Sequence, residues 1–196
     1  IRGRCPFNRR CGPFDWRRTT EQNRRLVEKI HFTADVESLR KGSTGSVEHD
    51  LDYTLMAFPN HHRALWAYAK NWIERYPEVS LSYRTELAKQ GTPPPECYFI
   101  RAIKAVPGDP VVRMAFGVYL HKRDKLDLAL EQYEAVEQMN DSYAELAYNM
   151  GLLYLERRDI TKARTYSDKA TALGYPLRGL DRELRKLENE KTKAVE

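Results

Sequence analysis

The stretch Tyr143–Pro176, YAELAYNMGLLYLERRDITKARTYSDKATALGYP, decides the fold. It places Gly151, Ala163 and Ala170 among leucines and aromatic residues in a segment that has helical periodicity. Glycine in a helix interior costs about 1 kcal/mol relative to alanine. A sequence that accepts this cost usually needs a second backbone to come close, so the pattern predicts two helices in tight contact.

The same pattern occurs earlier in the chain, in Asp109–Asn140, DPVVRMAFGVYLHKRDKLDLALEQYEAVEQMN. Gly117 precedes Gly151 by 34 positions, and Ala129 precedes Ala163 by the same interval. Small residues with this period are typical of helix-turn-helix repeats. The sequence resembles the tetratricopeptide repeat, and the resemblance implies an all-α solenoid in which the glycine of helix A meets the alanine of helix B.

Two earlier segments carry weaker forms of the repeat, each ending in a proline, at Pro59 and Pro107. The two prolines lie 48 positions apart, so about 14 residues are inserted relative to the family's period. The insertion is expected within about 76–96, and Pro93-Pro94-Pro95 should start the helix that follows it. The resemblance covers about residues 45–176.

Residues 177–196 predict a helix that caps the repeats. Leucines at positions 177, 180, 184 and 187 fall on one face of this segment, and the other face is charged. An array of repeats needs a terminal element that covers its last hydrophobic edge. Leu180–Lys193 is expected to be that capping helix.

Residues 1–44 read as a basic N-terminal arm. The first 41 residues carry eleven Lys and Arg against five Asp and Glu, a net charge of +6, whereas the whole chain carries +5. The basic character therefore belongs to the arm and not to the repeats.

Two short helices are predicted within the arm. Thr19 or Thr20 is expected to cap the first helix, and Thr33 the second. On the first helix, three apolar residues fall on one face: Leu26, Val27 and Ile30.

The three cysteines allow one disulfide. Cys5 and Cys11 flank a short proline-containing segment and are expected to pair in an oxidising compartment. The alternative is that both are free thiols in a cytosolic tail. Cys97 is interpreted as a small buried residue that stays unpaired.

The beginning of the chain and the first repeat are similar to a group of secreted proteobacterial tetratricopeptide proteins of unassigned function. That similarity implies a periplasmic or secreted protein whose signal peptide has been removed, with a cytoplasmic location as the alternative. No apolar run in the sequence approaches the roughly 20 residues that would span a bilayer.

The sequence offers no catalytic constellation. It contains no GxSxG, P-loop, GxGxxG or HExxH motif. The adjacent His61 and His62 point about 100° apart on a helix, so they cannot chelate as an i, i+4 pair could. They are interpreted as capping or surface residues, and we expect no enzyme activity, no cofactor and no metal.

The resemblance places a binding surface on the helix A faces, which line the concave side of such arrays. The family's groove positions fall on ten residues of this chain: Arg63, Trp66, Lys70, Met114, Val118, His121, Lys122, Tyr148, Asn149 and Leu152. Aromatic residues with a few cations suit an extended peptide or a partner helix. The alternative is that the arm or the insertion fills the groove.

The expected function is a non-enzymatic scaffold or adaptor that holds a protein segment, such as an assembly factor or accessory subunit of a bacterial envelope complex. The competing hypothesis uses the basic arm, which would bind nucleic acid or an anionic surface. Phe7, Phe14 and Trp16 between the arginines could stack on bases. The arm's modest charge favours the scaffold, and the sequence leaves the oligomeric state open.

Overall fold

The computed structural model describes residues 14–77, 86–87, 91–140 and 142–193, and these residues form ten α-helices and no strand. The helices are α1 Glu21–His31, α2 Ala34–Glu37, α3 Val47–Ala57, α4 His62–Arg75, α5 Pro95–Ala105, α6 Pro110–Lys122, α7 Leu126–Met139, α8 Ala144–Glu156, α9 Ile160–Ala172 and α10 Gly179–Lys193. The predicted all-α class is confirmed. The tetratricopeptide arrangement stays a prediction.

Local sequence sets the helix starts. The Thr20 hydroxyl accepts a hydrogen bond from the Asn23 backbone N–H at 3.3 Å and caps α1, and Thr33 caps α2 in the same way. Such a side chain satisfies one of the N–H groups that the first turn leaves unpaired. Helix α5 begins at Pro95, directly after Pro94, as the proline run predicts.

The chain divides into two compact units, Ile1–Tyr119 and Leu120–Glu196, and the boundary falls inside α6. In the first unit, α3 contacts α1, α2 and α4, and α4 also contacts α2 and α5. Aromatic pairs fill this core. The Tyr68 and Tyr98 rings lie 4.5 Å apart, and the Phe99 and Phe116 rings stack at 4.8 Å.

Arg101 joins α5 to the end of α3. Its guanidinium donates hydrogen bonds to the carbonyl oxygens of Leu55 and Met56, each at 3.0 Å. The last carbonyls of a helix have no partner within it, so a cation there satisfies them and faces the negative end of the helix dipole. Arg101 therefore stabilises the α3 terminus.

In the second unit, α8 contacts α7, α9 and α10, and α10 also contacts α9. Leu180 and Leu184 of α10 are buried, with 1% and 0% of their surface exposed. The predicted helix after Leu180 is thus present and covers its neighbours with its leucine face. Leu177 precedes the helix and is exposed, because the chain is not yet helical there.

Gly151 marks the closest approach in this unit. A Cβ on Gly151 would lie 3.5 Å from the Ala163 carbonyl oxygen and from the Ser167 backbone nitrogen of α9. It would also overlap the Cδ2 atom of Leu180. The sequence predicts the contact with α9, but the tightest neighbour is the leucine of α10. The other small repeat residues, Gly117, Ala129 and Ala170, are likewise buried.

Candidate interaction surface

Helix α4 is covered around most of its circumference and open along one stripe. Six of its residues are buried: Ala64, Leu65, Ala67, Tyr68, Ala69 and Trp72. Arg63, Trp66, Lys70 and Ile73 follow one another at intervals of three or four, and all are exposed or half-buried. Such spacing places them on a single face. The three groove residues predicted on this helix therefore share one accessible stripe, the α4 stripe.

Each of the two cations of the α4 stripe pairs with a glutamate. Arg63 Nε donates to the Glu37 carboxylate at 2.7 Å, and Lys70 Nζ lies 3.8 Å from Glu74 Oε1. More than half of the side-chain surface of each cation remains exposed. An exposed single-contact pair such as Lys70–Glu74 contributes about 0–1 kcal/mol, so another carboxylate could replace Glu74 at little cost, whereas Glu37 holds Arg63 through two hydrogen bonds.

The other predicted groove residues of the first unit lie on α6. Met114 has only 6% of its surface exposed and belongs to the core, whereas Val118 is half-buried. Met114 therefore offers little surface to a partner.

In the second unit, Tyr148 is the best-defined member of the predicted set. Its ring lies 4.5 Å from that of Tyr175, and its hydroxyl oxygen is 3.0 Å from where a Cβ on Gly179 would stand. Asn149 and Leu152 are half-buried on the same helix. The Tyr148 side chain of α8 therefore lies against Tyr175 and the start of α10.

The end of α6 carries the remaining two predicted residues. His121 Nε2 lies 3.1 Å from Glu156 Oε2, and the His121 side chain is 12% exposed. Lys122 is exposed. An acidic neighbour therefore already lies against His121.

His61 has a structural role that its burial and hydrogen bonds define. Its Nδ1 accepts the Ala64 backbone N–H at 3.1 Å and caps α4, which confirms the predicted capping role. The other nitrogen, Nε2, lies 3.2 Å from Glu28 Oε1. Since Nδ1 is an acceptor, Nε2 carries the proton and donates to Glu28. Both nitrogens are engaged, so neither is available as a general base or a metal ligand.

The environment of His61 keeps it neutral. The side chain is fully buried, with its ring 4.9 Å from Trp16 and 4.5 Å from Phe32. Burial lowers the pKa of His61 to about 4, although the Glu28 carboxylate acts in the opposite direction. The cost of removing water from a charged imidazolium exceeds the attraction of the Glu28 carboxylate, so the pKa of His61 is lowered.

A cluster of polar side chains fixes the segment before α1 to the body of the first unit. Asn60 Nδ2 donates to Asp15 at 2.8 Å and to Asp109 at 3.0 Å, and Asn60 Oδ1 accepts from the Trp16 backbone N–H at 2.8 Å. Arg17 Nε lies 3.1 Å from Asp109, which is 2% exposed. A buried carboxylate needs such partners. No sequence motif marks this cluster.

A second cluster closes the loop before α3. Asp50, fully buried, accepts hydrogen bonds from the Thr44 hydroxyl at 2.6 Å and from the Ser43 backbone N–H at 2.6 Å. His31 Nδ1 lies 2.9 Å from the same carboxylate. Burial opposes ionisation of Asp50, but these bonds outweigh it and lower its pKa to about 2.

Cys97 lies buried near the start of α5. Cys5 and Cys11 lie outside the described residues, so their pairing stays a prediction.

Peptide mapping of the unreduced protein tests the predicted Cys5–Cys11 bridge. The peptides that carry Cys5 and Cys11 should be covalently joined before reduction and separate after it. Free thiols at both positions after aerobic purification would contradict the bridge.

No family model, curated protein or solved structure matches this chain. Among the described residues, no helix is both long and apolar enough to cross a membrane. In the same residues, no group of three or more His, Cys, Asp and Glu side chains could hold a metal ion.

Proposed function

We propose that this protein is a non-enzymatic adaptor that binds a segment of another protein along the α4 stripe. The observation that carries the proposal is the accessible stripe of a helix whose opposite face is buried. It presents a half-buried tryptophan, Trp66, between two exposed cations, Arg63 and Lys70. Tryptophan and arginine are the residues that most often dominate the binding energy of protein interfaces.

The chemistry of the stripe defines the expected partner segment. Trp66 would pack against an apolar side chain, and Arg63 and Lys70 would pair with carboxylates that replace Glu37 and Glu74. A rigid helix holds the three residues in position, which limits the entropy lost on binding. The partner is therefore proposed to be an acidic segment with an exposed apolar residue.

The second unit contributes a separate set, Tyr148 with Asn149 and Leu152, that is accessible in part. The tetratricopeptide resemblance, in which helix A faces bind partners, supports its inclusion in the function. A periplasmic or secreted location is part of the proposal. The similarity of the first part of the sequence to secreted tetratricopeptide proteins supports it.

Trp66→Ala should weaken binding of the partner about 30-fold, since truncating an aromatic anchor costs about 2 kcal/mol. The partner would first be identified by affinity capture from the source organism, and its Kd then measured by calorimetry with purified components. Folding should survive, because Trp66 is not a fully buried residue.

The matched control is Tyr53→Ala, which removes an aromatic residue that is 43% exposed on α3, away from the α4 stripe. It should leave the Kd unchanged. Normal binding by Trp66→Ala, together with loss of binding on deletion of residues 1–18, would assign the function to the basic arm instead.

A further inference from the structure

Helix α8 has an accessible stripe that carries acidic and aromatic residues. The opposite side of the helix is buried in the second unit. The accessible residues follow one another at intervals of three or four along the chain, which places them on one face. They are exposed or half-buried, and together they form the α8 stripe: Glu145, Tyr148, Asn149, Leu152 and Glu156.

The charged residues of the α8 stripe are both acidic. Glu145 is exposed and forms no ion pair with any residue that the structure describes. Glu156 Oε2 lies 3.1 Å from His121 Nε2, yet 55% of the Glu156 side chain remains exposed. One turn after Glu145, the Tyr148 ring packs on Tyr175 at a centroid distance of 4.5 Å. The α8 stripe therefore offers carboxylates beside an aromatic surface, whereas the α4 stripe offers cations.

A buried hydroxyl group faces the α8 stripe. Tyr133 of α7 is completely buried, and its hydroxyl has no hydrogen-bond partner among the described residues. Burial raises the pKa of Tyr133, and the Glu145 and Glu156 carboxylates raise it further. Carboxylates at both ends of the stripe therefore act on this hydroxyl. A buried hydroxyl without a partner costs free energy, so a polar group bound at the stripe would stabilise the site.

We propose that the α8 stripe binds an arginine side chain from a segment of a partner protein. A guanidinium group is planar and carries five N–H donors, so it can pair with a carboxylate while it stacks on an aromatic ring. Glu145 supplies the carboxylate and Tyr148 the ring, and a further N–H can donate to the Tyr133 hydroxyl oxygen. Leu152, half-buried on the same stripe, would contact an apolar residue beside the arginine.

The charge of the α8 stripe excludes other classes of occupant. Glu145 and Glu156 would repel the phosphates of a nucleic acid. They would equally repel the acidic segment proposed for the α4 stripe. Arginine binding here rests on the proposed adaptor function, since it assigns a partner chemistry to the residues that the second unit contributes to that function.

The test titrates the full chain with a short peptide, acetylated and amidated at its ends, that contains arginine next to leucine. A second peptide carries citrulline instead, which keeps the shape of the arginine side chain but removes its charge. Amide chemical shifts measured by NMR should place the arginine peptide on α8, at residues 144–156. The citrulline peptide should bind about ten-fold more weakly, because hydrogen bonds between charged groups are the stronger kind.

Two variants identify the groups that bind the arginine. Glu145→Gln keeps the size of the side chain and should weaken binding of the arginine peptide about ten-fold. Tyr133→Phe removes only the hydroxyl and should weaken binding about three-fold. Thermal unfolding of Tyr133→Phe should show no loss of stability, since that hydroxyl has no partner among the described residues.

The matched control is Glu134→Gln, which removes an exposed carboxylate of α7. Glu134 acts on Tyr154 and Tyr166 and not on Tyr133. The control variant should therefore bind the arginine peptide as the wild type does.

Failure of the arginine site and failure of the proposed function give different results. Trp66→Ala, on the α4 stripe, should bind the arginine peptide normally. Absence of peptide binding, with the captured partner still dependent on Trp66, would overturn the arginine site and leave the function of the α4 stripe standing.

Three further results would overturn the arginine site. The first is equal affinity for the arginine and citrulline peptides, and the second is unchanged binding by Glu145→Gln or Tyr133→Phe. The third is a wild-type dimer in sedimentation that Glu145→Gln converts to monomer. That result would assign the α8 stripe to the cations of a second copy of the chain.

Discussion

Ala163→Leu is expected to destabilise the α8–α9 pair by about 3 kcal/mol, the upper part of the usual range for overpacking a core. Ala163 is completely buried, and its carbonyl oxygen lies 3.5 Å from where a Cβ on Gly151 would stand. Because the Ala163 side chain has no exposed surface, three more carbon atoms must displace the residues that cover it. For the second unit, Leu120–Glu196, of 77 residues, the midpoint of thermal unfolding should fall by about 12–24 °C.

The matched control lies on the same helix. Ala172→Leu makes the same substitution at an exposed position of α9 and should change the stability by less than about 0.5 kcal/mol. Thermal unfolding followed by circular dichroism measures both variants. Hydrogen exchange of the α8 and α9 amides would locate the effect, and full protection in Ala163→Leu would contradict the close contact.

Gly151 offers a second check of the same contact. Gly151→Ala should gain up to about 1 kcal/mol in helix propensity but must displace the Leu180 side chain. Combining it with Leu180→Ala removes that overlap. The two substitutions should therefore be coupled in a double-mutant cycle, and strict additivity would show that Leu180 does not lie against Gly151.

Acidification should destabilise the first unit between about pH 6.5 and pH 4, by up to about 3 kcal/mol, through His61. The pKa of His61 is about 4 in the folded protein because the ring is buried, and about 6.5 when the chain unfolds. The unfolded chain therefore takes up the proton first. The stability that His61 contributes is complete above pH 6.5 and is lost as the pH falls toward 4.

Other groups act in the same direction or at lower pH. Burial also lowers the pKa of His62, so it adds to the loss in this range. Asp50, with a pKa of about 2, contributes stability that disappears only as the pH falls below about 4. The stability lost between pH 6.5 and 4 is therefore attributed to His61 and His62.

Urea unfolding at a series of pH values, followed by tryptophan fluorescence, measures this dependence. All three tryptophans, Trp16, Trp66 and Trp72, lie in the first unit. His61→Asn keeps an N-cap acceptor for α4 but does not titrate, so the slope between pH 6.5 and 4 should become smaller. His49→Asn, at an exposed position, should keep the wild-type slope. An unchanged slope in His61→Asn would contradict the burial of a neutral ring.

Several elements of the fold were predictable from the sequence because their causes are local. Hydroxyl groups at Thr20 and Thr33 cap the helices that follow them, and the proline run sets the start of α5. The leucine stripe predicted α10, and Gly151 with Ala163 predicted a close helix contact. In each case the residues that give the prediction lie within a few positions, or one repeat length, of the element that they predict.

The candidate site was predictable only as positions on a helix face. The tetratricopeptide resemblance gave Arg63, Trp66 and Lys70, whose spacing puts them on one face of α4, but exposure depends on what packs around that helix. The same resemblance put Met114 in the set, although the structure buries it. Residue spacing determines which side chains share a face, and the neighbouring helices determine whether that face meets solvent.

The sequence alone predicted the all-α class, the starts of several helices and a close approach of α9 to Gly151. Only the tertiary structure decided the partners of the buried polar groups. Asn60 reaches Asp109 across 49 positions, and His61 reaches Glu28 across 33. No local period connects residues so far apart. Such pairs form because a buried carboxylate, amide or imidazole must find a hydrogen-bond partner once packing has excluded water.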